Sequence, residues 1–118
     1  MLYSFRWFGH DDPSQLDQIR QIGVEAIVSS LAQIKYGNKW SSIEIKKRKK
    51  FIESFNISKN KKLTWSVVES LPVHNDIKTM SGNFTKYIEN YKNSIKNVGQ
   101  SGVKLVCYNF MAVVDWTR

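Results

Sequence analysis

Two rhythms of apolar and polar positions take turns along this chain, a two-residue alternation over short runs and a three-to-four-residue return over longer ones. Tyr3 to Phe8 follows the first, with Tyr3, Phe5 and Trp7 on one side, and predicts a strand. Asp12 and Pro13 predict a helix start, the carboxylate capping free amides and the proline taking the first helical position. Leu16, Ile19 and Ile22 form its inward stripe, and Gly23 ends it. A second strand is expected at Glu25 to Ser30. Ser41 and Glu44 have the spacing of a capping box, opening a helix that turns Ile45, Phe51, Ile52 and Phe55 inward and fades into the polar loop "NISKNKK". Leu63 to Glu69 predicts the third strand. Ser81 to Asn83 offer caps for the clearest helix, in which Phe84, Tyr87, Ile88, Tyr91, Ile95 and Val98 recur, with Gly99 and Gly102 closing it. Val103 to Phe110 is nearly all apolar, as a strand covered on both faces should be.

Strands alternating with three helices predict an α/β fold with about four parallel strands and right-handed crossovers. In such sheets the chemistry gathers at the carboxyl ends of the strands. That rim receives His10, Asp11 and Asp12 after the first strand, Glu69, His74 and Asp76 after the third, and Asn109, Asp115, Trp116 and Arg118 after the fourth. Simpler roles compete for some of them: Asp12 as a helix cap, Asp76 as a turn or cap residue, His10 as an exposed loop side chain. Glu69 is harder to dismiss, because a carboxylate ending a buried strand needs a partner or water. The spacing of Glu69, His74 and Asp76 matches no established metal-ligand motif. The loop "FGHDDP" has one glycine where a dinucleotide fingerprint has three, which argues against a nucleotide-binding sheet.

Composition refines this picture at three points. The 118 residues are one domain by length, and the formal charge is +8. Lys35 to Lys62 holds ten basic residues against Glu44 and Glu53, so the excess is local. Its densest part, "KKRKK" (Lys46 to Lys50), falls within a helix and lacks the interleaved aromatics of a single-strand binding surface, so it reads as a solvated helix face. The lone Cys107 excludes an internal disulfide and a multi-cysteine zinc site, and is expected to be a small buried apolar residue. No apolar run approaches the ~18 residues of a membrane span and the N-terminus lacks signal-peptide order, so the expected location is cytoplasmic, with no membrane partner.

The strings "RWFG", "WSVVES", "VHNDIKT", "VCYNFM" and "DWTR" together resemble the N-terminal part of the mannonate dehydratase family, in order, from Arg6 to Arg118. The resemblance implies a xylose-isomerase-like (β/α)8 TIM barrel, of which residues 1–118 would be a single partial domain, the N-terminal half. It also implies a lyase of hexuronate and glucuronate catabolism, converting D-mannonate to 2-dehydro-3-deoxy-D-gluconate and water with Mn(II) or Fe(II). The metal-binding His, Cys, His and Asp of the family are expected in a C-terminal half, so no catalytic residue and no metal ligand is assigned here. The family's pattern is broken at Ala32 and Gln33, where a His-His pair is expected, at Lys35 for a proline, and at His10 and Ala112, each also for a proline.

By this resemblance the metal and the main acid and base lie outside the chain, and what remains is a wall. Trp7, Glu69, His74, Asn109 and Trp116 are the expected substrate-binding residues, chosen by rim position and motif membership. A half-barrel would end in an unpaired apolar edge, so the expected partners besides the sugar acid are a C-terminal half or a second copy, and negligible activity alone. Two other readings are a stand-alone α/β sugar-acid binding module, and a basic interaction module using Lys46 to Lys50, for which nucleic-acid affinity would fall steeply with salt.

Overall fold

The computed structural model describes residues 1–12 and 14–111. In chain order the elements are β1 (Ser4–Arg6), α1 (Leu16–Gln21), β2 (Ala26–Ser29), α2 (Ser42–Glu53), β3 (Asn56–Ser58), β4 (Lys61–Lys62), β5 (Thr64–Val68), α3 (Asn75–Thr79), α4 (Phe84–Gln100) and β6 (Leu105–Val106). Four strands form one sheet in the order β1-β2-β5-β6. Every pairing in it is parallel, Phe5 opposite Ile27, Val28 opposite Val67 and Val68 opposite Val106. This is the parallel sheet that the alternating pattern predicts, and all its carboxyl ends point one way.

The core lies between this sheet and its helices. Trp7, Ile27, Leu31, Ile45, Ile52, Leu63, Trp65, Val68, Val98 and Val103 belong to one buried cluster. Helix α2 starts where its caps direct, Ser41 Oγ accepting from the Glu44 amide at 3.3 Å. Its buried stripe is Ile45, Arg48 and Ile52. Helix α4 seats Ser94 and Val98, and the Ser94 hydroxyl accepts from the Trp40 amide at 2.9 Å, tying the loop before α2 to α4.

Several local expectations are corrected. Helix α1 begins at Leu16 behind Gln15, not at Asp12; the Asp12 carboxylate instead closes the preceding loop, accepting from the amides of Phe8 (2.7 Å) and Ser14 (2.8 Å), while Pro13 lies outside the described residues. Ile22 caps the end of α1 and is exposed, so the stripe stops at Ile19. Tyr3 and Phe5 are exposed near the first-strand edge, and only Trp7 is buried. The "NISKNKK" loop is an antiparallel hairpin, β3 with β4, because Lys61 forms an ion pair with Glu25 and Arg20 donates to the Asn56 carbonyl, anchoring both arms. The segment after β5 contains the short helix α3, giving four helices among the described residues rather than three.

The fourth strand departs most. Pairing with β5 covers only Leu105 and Val106, and Leu105, Tyr108 and Phe110 are more than half exposed. Cys107 is exposed rather than buried, because among the described residues β6 is the edge of the sheet. Its thiol should therefore react with an alkylating or disulfide reagent in the folded chain at the rate of a free cysteine. Reaction only after denaturant is added would contradict this placement.

Candidate functional site

The rim is built from strand alternation. The Trp7 amide donates to the Val28 carbonyl at 2.9 Å, extending β1 by one rung, and its indole turns toward α2. There it stacks on Phe51 with centroids 5.8 Å apart, and the Arg48 guanidinium carbon stands 5.0 Å from its ring. Neighbours along a strand face opposite ways, so Arg6 and Phe8 lie on the sheet face away from α2. Arg6 sits 4.2 Å above the Phe8 ring, and its Nε is 2.6 Å from Glu69 Oε2. This ion pair reaches from β1 across β2 to the end of β5.

Beside it, Ser70 holds a left-handed backbone (φ 62°), a conformation that costs a non-glycine residue about 1–3 kcal/mol and concentrates at functional sites. Its neighbours fix it there. Ser30 Oγ donates to the Ser70 carbonyl (3.1 Å), and Asn109 Nδ2 donates to Ser70 Oγ (3.3 Å). The ends of β2, β5 and β6 are thus tied at one point, with Asn109 and Glu69 on either side of Ser70.

The remaining predicted residues divide. His74 is the N-cap of α3, its Nδ1 accepting from the Asp76 amide at 3.1 Å. The ring is held between Tyr87, stacked at 3.7 Å, and Tyr36 at 4.8 Å, so only Nε2 is left for other work. Asp76 accepts from the Asn83 amide and holds the corner between α3 and α4. Trp7 is buried, with its ring against His10, Phe51 and Arg48. His10 is exposed, packed edge-on against Phe51 at 4.5 Å. Trp116, Asp115 and Arg118 lie outside the described residues. Among the described residues no three His, Cys, Asp or Glu side chains gather closely enough to hold a metal ion.

Two residues that sequence reasoning passed over belong to the rim. Arg6 is one, hidden inside a strand whose aromatic neighbours drew the attention. Arg48 is the other. It is 6% exposed, although it sits in the lysine run, and a signal was present: it falls three residues after Ile45 and four before Ile52, on the apolar register. Lys49 is also engaged, donating to the Ser101 carbonyl at 2.5 Å, so the run does not form one solvated face. Arg48 lines a cleft of about 720 Å³ together with Phe8 to Asp12, Ala32, Gln33, Glu44 and Lys47.

The model of the D-mannonate dehydratase (UxuA) family matches residues 1–118. The chain belongs to the D-mannonate dehydratase family. It is 53% identical to the mannonate dehydratase of Saccharophagus degradans and 47% identical to that of a Marinomonas species, over its whole length in both cases. It spans 28% and 29% of the length of those relatives. Against the crystal structure of mannonate dehydratase from Streptococcus suis serotype 2 the TM-score is 0.88 at 44% identity, covering all of this chain and 32% of that one. The parallel strands and rim described above are therefore a segment of the mannonate dehydratase fold. Ala32 and Gln33, where the resemblance led to the expectation of a His-His pair, both border the Arg48 cleft, and Gln33 Oε1 accepts from Arg48 Nη2 at 3.2 Å.

Proposed function

We propose that this chain forms one wall of a D-mannonate dehydratase active site, converting D-mannonate to 2-dehydro-3-deoxy-D-gluconate and water. The observation that carries the reading is the Arg6–Glu69 pair on the helix-free face of a parallel sheet, in a chain of this family. Removing the proton α to a carboxylate builds charge on a group already anionic, and the departing 3-hydroxyl must be protonated. The family's implied cofactor is Mn(II) or Fe(II), which would supply Lewis-acid chemistry. The described residues do not fit a metal, so no step through one is assigned to them.

Their part is positioning. The Glu69 carboxylate, oriented by Arg6, accepts hydrogen bonds from sugar hydroxyls; the Asn109 carboxamide, steadied on Ser70, orients a neighbouring hydroxyl. Trp7 supports the loop that bears Phe8, His74 offers Nε2, and Trp116 completes the proposed set. The β6 edge, with Leu105, Tyr108 and Phe110 exposed, is where further strands of the barrel or a second copy would pair.

The reading is tested by exchange. This chain is spliced in place of the matching segment of the Streptococcus suis enzyme, and product formation from D-mannonate is assayed with Mn(II). The chimaera should turn over, while the 118-residue chain alone should not. A folded chimaera without turnover, or turnover by the chain alone, would overturn the division of labour proposed here.

A further inference from the structure

Arg48 is a buried cation whose described partners are all neutral. Nη1 donates to Ser29 Oγ (3.1 Å) and the Ser30 carbonyl (3.2 Å), and Nη2 to Gln33 Oε1 (3.2 Å). Among the described residues no carboxylate forms an ion pair with it. Burial lowers the affinity of the guanidinium for its proton, yet an arginine stays charged at any working pH. Burying a charge without a counter-ion is costly, and three dipoles and the Trp7 ring compensate it only in part.

The surrounding cleft leaves room for what is absent. Nε–H has no acceptor among the described residues, and Nη2 carries one hydrogen more than its bond to Gln33 uses; the Nε–Nη2 edge is the one by which a guanidinium grips an oxyanion with two parallel bonds. Gly9, at φ 119°, passes so close that a Cβ there would stand 3.2 Å from both Nη atoms, so glycine lets the loop after β1 pack against the guanidinium without a side chain crowding it. Two of the carboxylates lining the cleft are committed elsewhere: Asp12 accepts from the Phe8 and Ser14 amides, and Glu44 pairs with Lys47 at 3.3 Å. Asp11 is exposed. His10 and Lys47 add a polar and a cationic wall.

We infer that the cleft at Arg48, between the loops after β1 and β2, is a binding site for a small oxyanion, the carboxylate or phosphoryl group of a metabolite. The site lies against α2, and Phe8, whose ring carries Arg6, borders it, so it adjoins the Arg6–Glu69 pair at the same end of the sheet while using none of that pair's groups. The Gln33 side chain is its adjustable wall, since a carboxylate at that position would fill the site from within.

The test titrates the isotopically labelled 118-residue chain with sodium acetate and with inorganic phosphate, against sodium chloride at equal ionic strength. Backbone amides and the Arg48 Nε–H signal are followed. Saturable shifts at Arg48 Nε–H, Gly9 and Gln33 are expected, with acetate alone indicating a carboxylate site, phosphate alone a phosphoryl site, and both the shared chemistry. Arg48→Gln should weaken the response about tenfold or more. Because that variant also removes bonds inside the fold, Gln33→Glu decides. It should raise the melting temperature and abolish the response by supplying the missing counter-ion. A response to acetate and phosphate no different from that to chloride, or one that survives in Gln33→Glu, would overturn the site.

Discussion

Replacing Glu69 by Ala in the chimaeric enzyme should lower kcat/KM for D-mannonate about a hundredfold while barely changing the melting temperature. The two halves of this expectation have separate causes. The Arg6–Glu69 pair is partly exposed, with 39% and 26% of the two side chains accessible, and such pairs contribute about 0.2–1 kcal/mol to stability. Its value lies in geometry: a carboxylate held 2.6 Å from a guanidinium that is itself laid on Phe8 has little freedom to wander. Displacement of about 1 Å in a positioning group can cost about a hundredfold in rate. Glu69→Gln should keep part of the activity, since the amide oxygen still accepts a bond, and Arg6→Met should reproduce much of the Glu69 loss. A variant that loses stability and activity in proportion would assign Glu69 to the fold and not to the substrate.

Trp65→Ala is expected to be the most damaging change for folding, by about 3–5 kcal/mol in urea denaturation. Trp65 is 3% exposed as the second residue of β5, and its Nε1 donates to the Val67 carbonyl at 2.9 Å and the Ser29 carbonyl at 3.3 Å. These bonds lie near the point where the β2–β5 register shifts between Ile27 and Val28, so the indole fills the core and also ties β5 to β2, sharing the Ser29 carbonyl with the Glu69 amide. Against a total stability of about 5–15 kcal/mol, that loss leaves few folded molecules. Trp65→Phe keeps most of the volume and loses the donor, and should cost about 1–3 kcal/mol. Equal effects of the two substitutions would show that the hydrogen bonds, and not the packing, dominate at this position.

The frame of the molecule was legible because it rests on period and punctuation. The capping spacing of Ser41 and Glu44 placed the start of α2 correctly, and the alternation of strands and helices gave four parallel strands with their polar tips at one end. What escaped is what depends on distant partners. The hairpin β3–β4 carries no apolar pattern and is held by Arg20 and Lys61 reaching across the chain. The short helix α3 is set by the His74 cap and a left-handed Met80, details too local for periodicity. Cys107 and Tyr108 look like core residues from composition, yet they are exposed because β6 is the edge of the sheet among the described residues. At the rim, Glu69 and Asn109 could be named from strand ends, whereas the Arg6 partner and the buried Arg48 emerge only when β1, β2 and α2 are brought together.

The most direct measurement is a crystal structure of the chimaeric enzyme with D-mannonate bound. Electron density for the sugar acid should lie against the Arg6–Glu69 face, with its hydroxyls in hydrogen-bond contact with Glu69 and Asn109. Density for the sugar acid only on the opposite side of the sheet, or neighbouring strands running antiparallel, would contradict the placement of this wall.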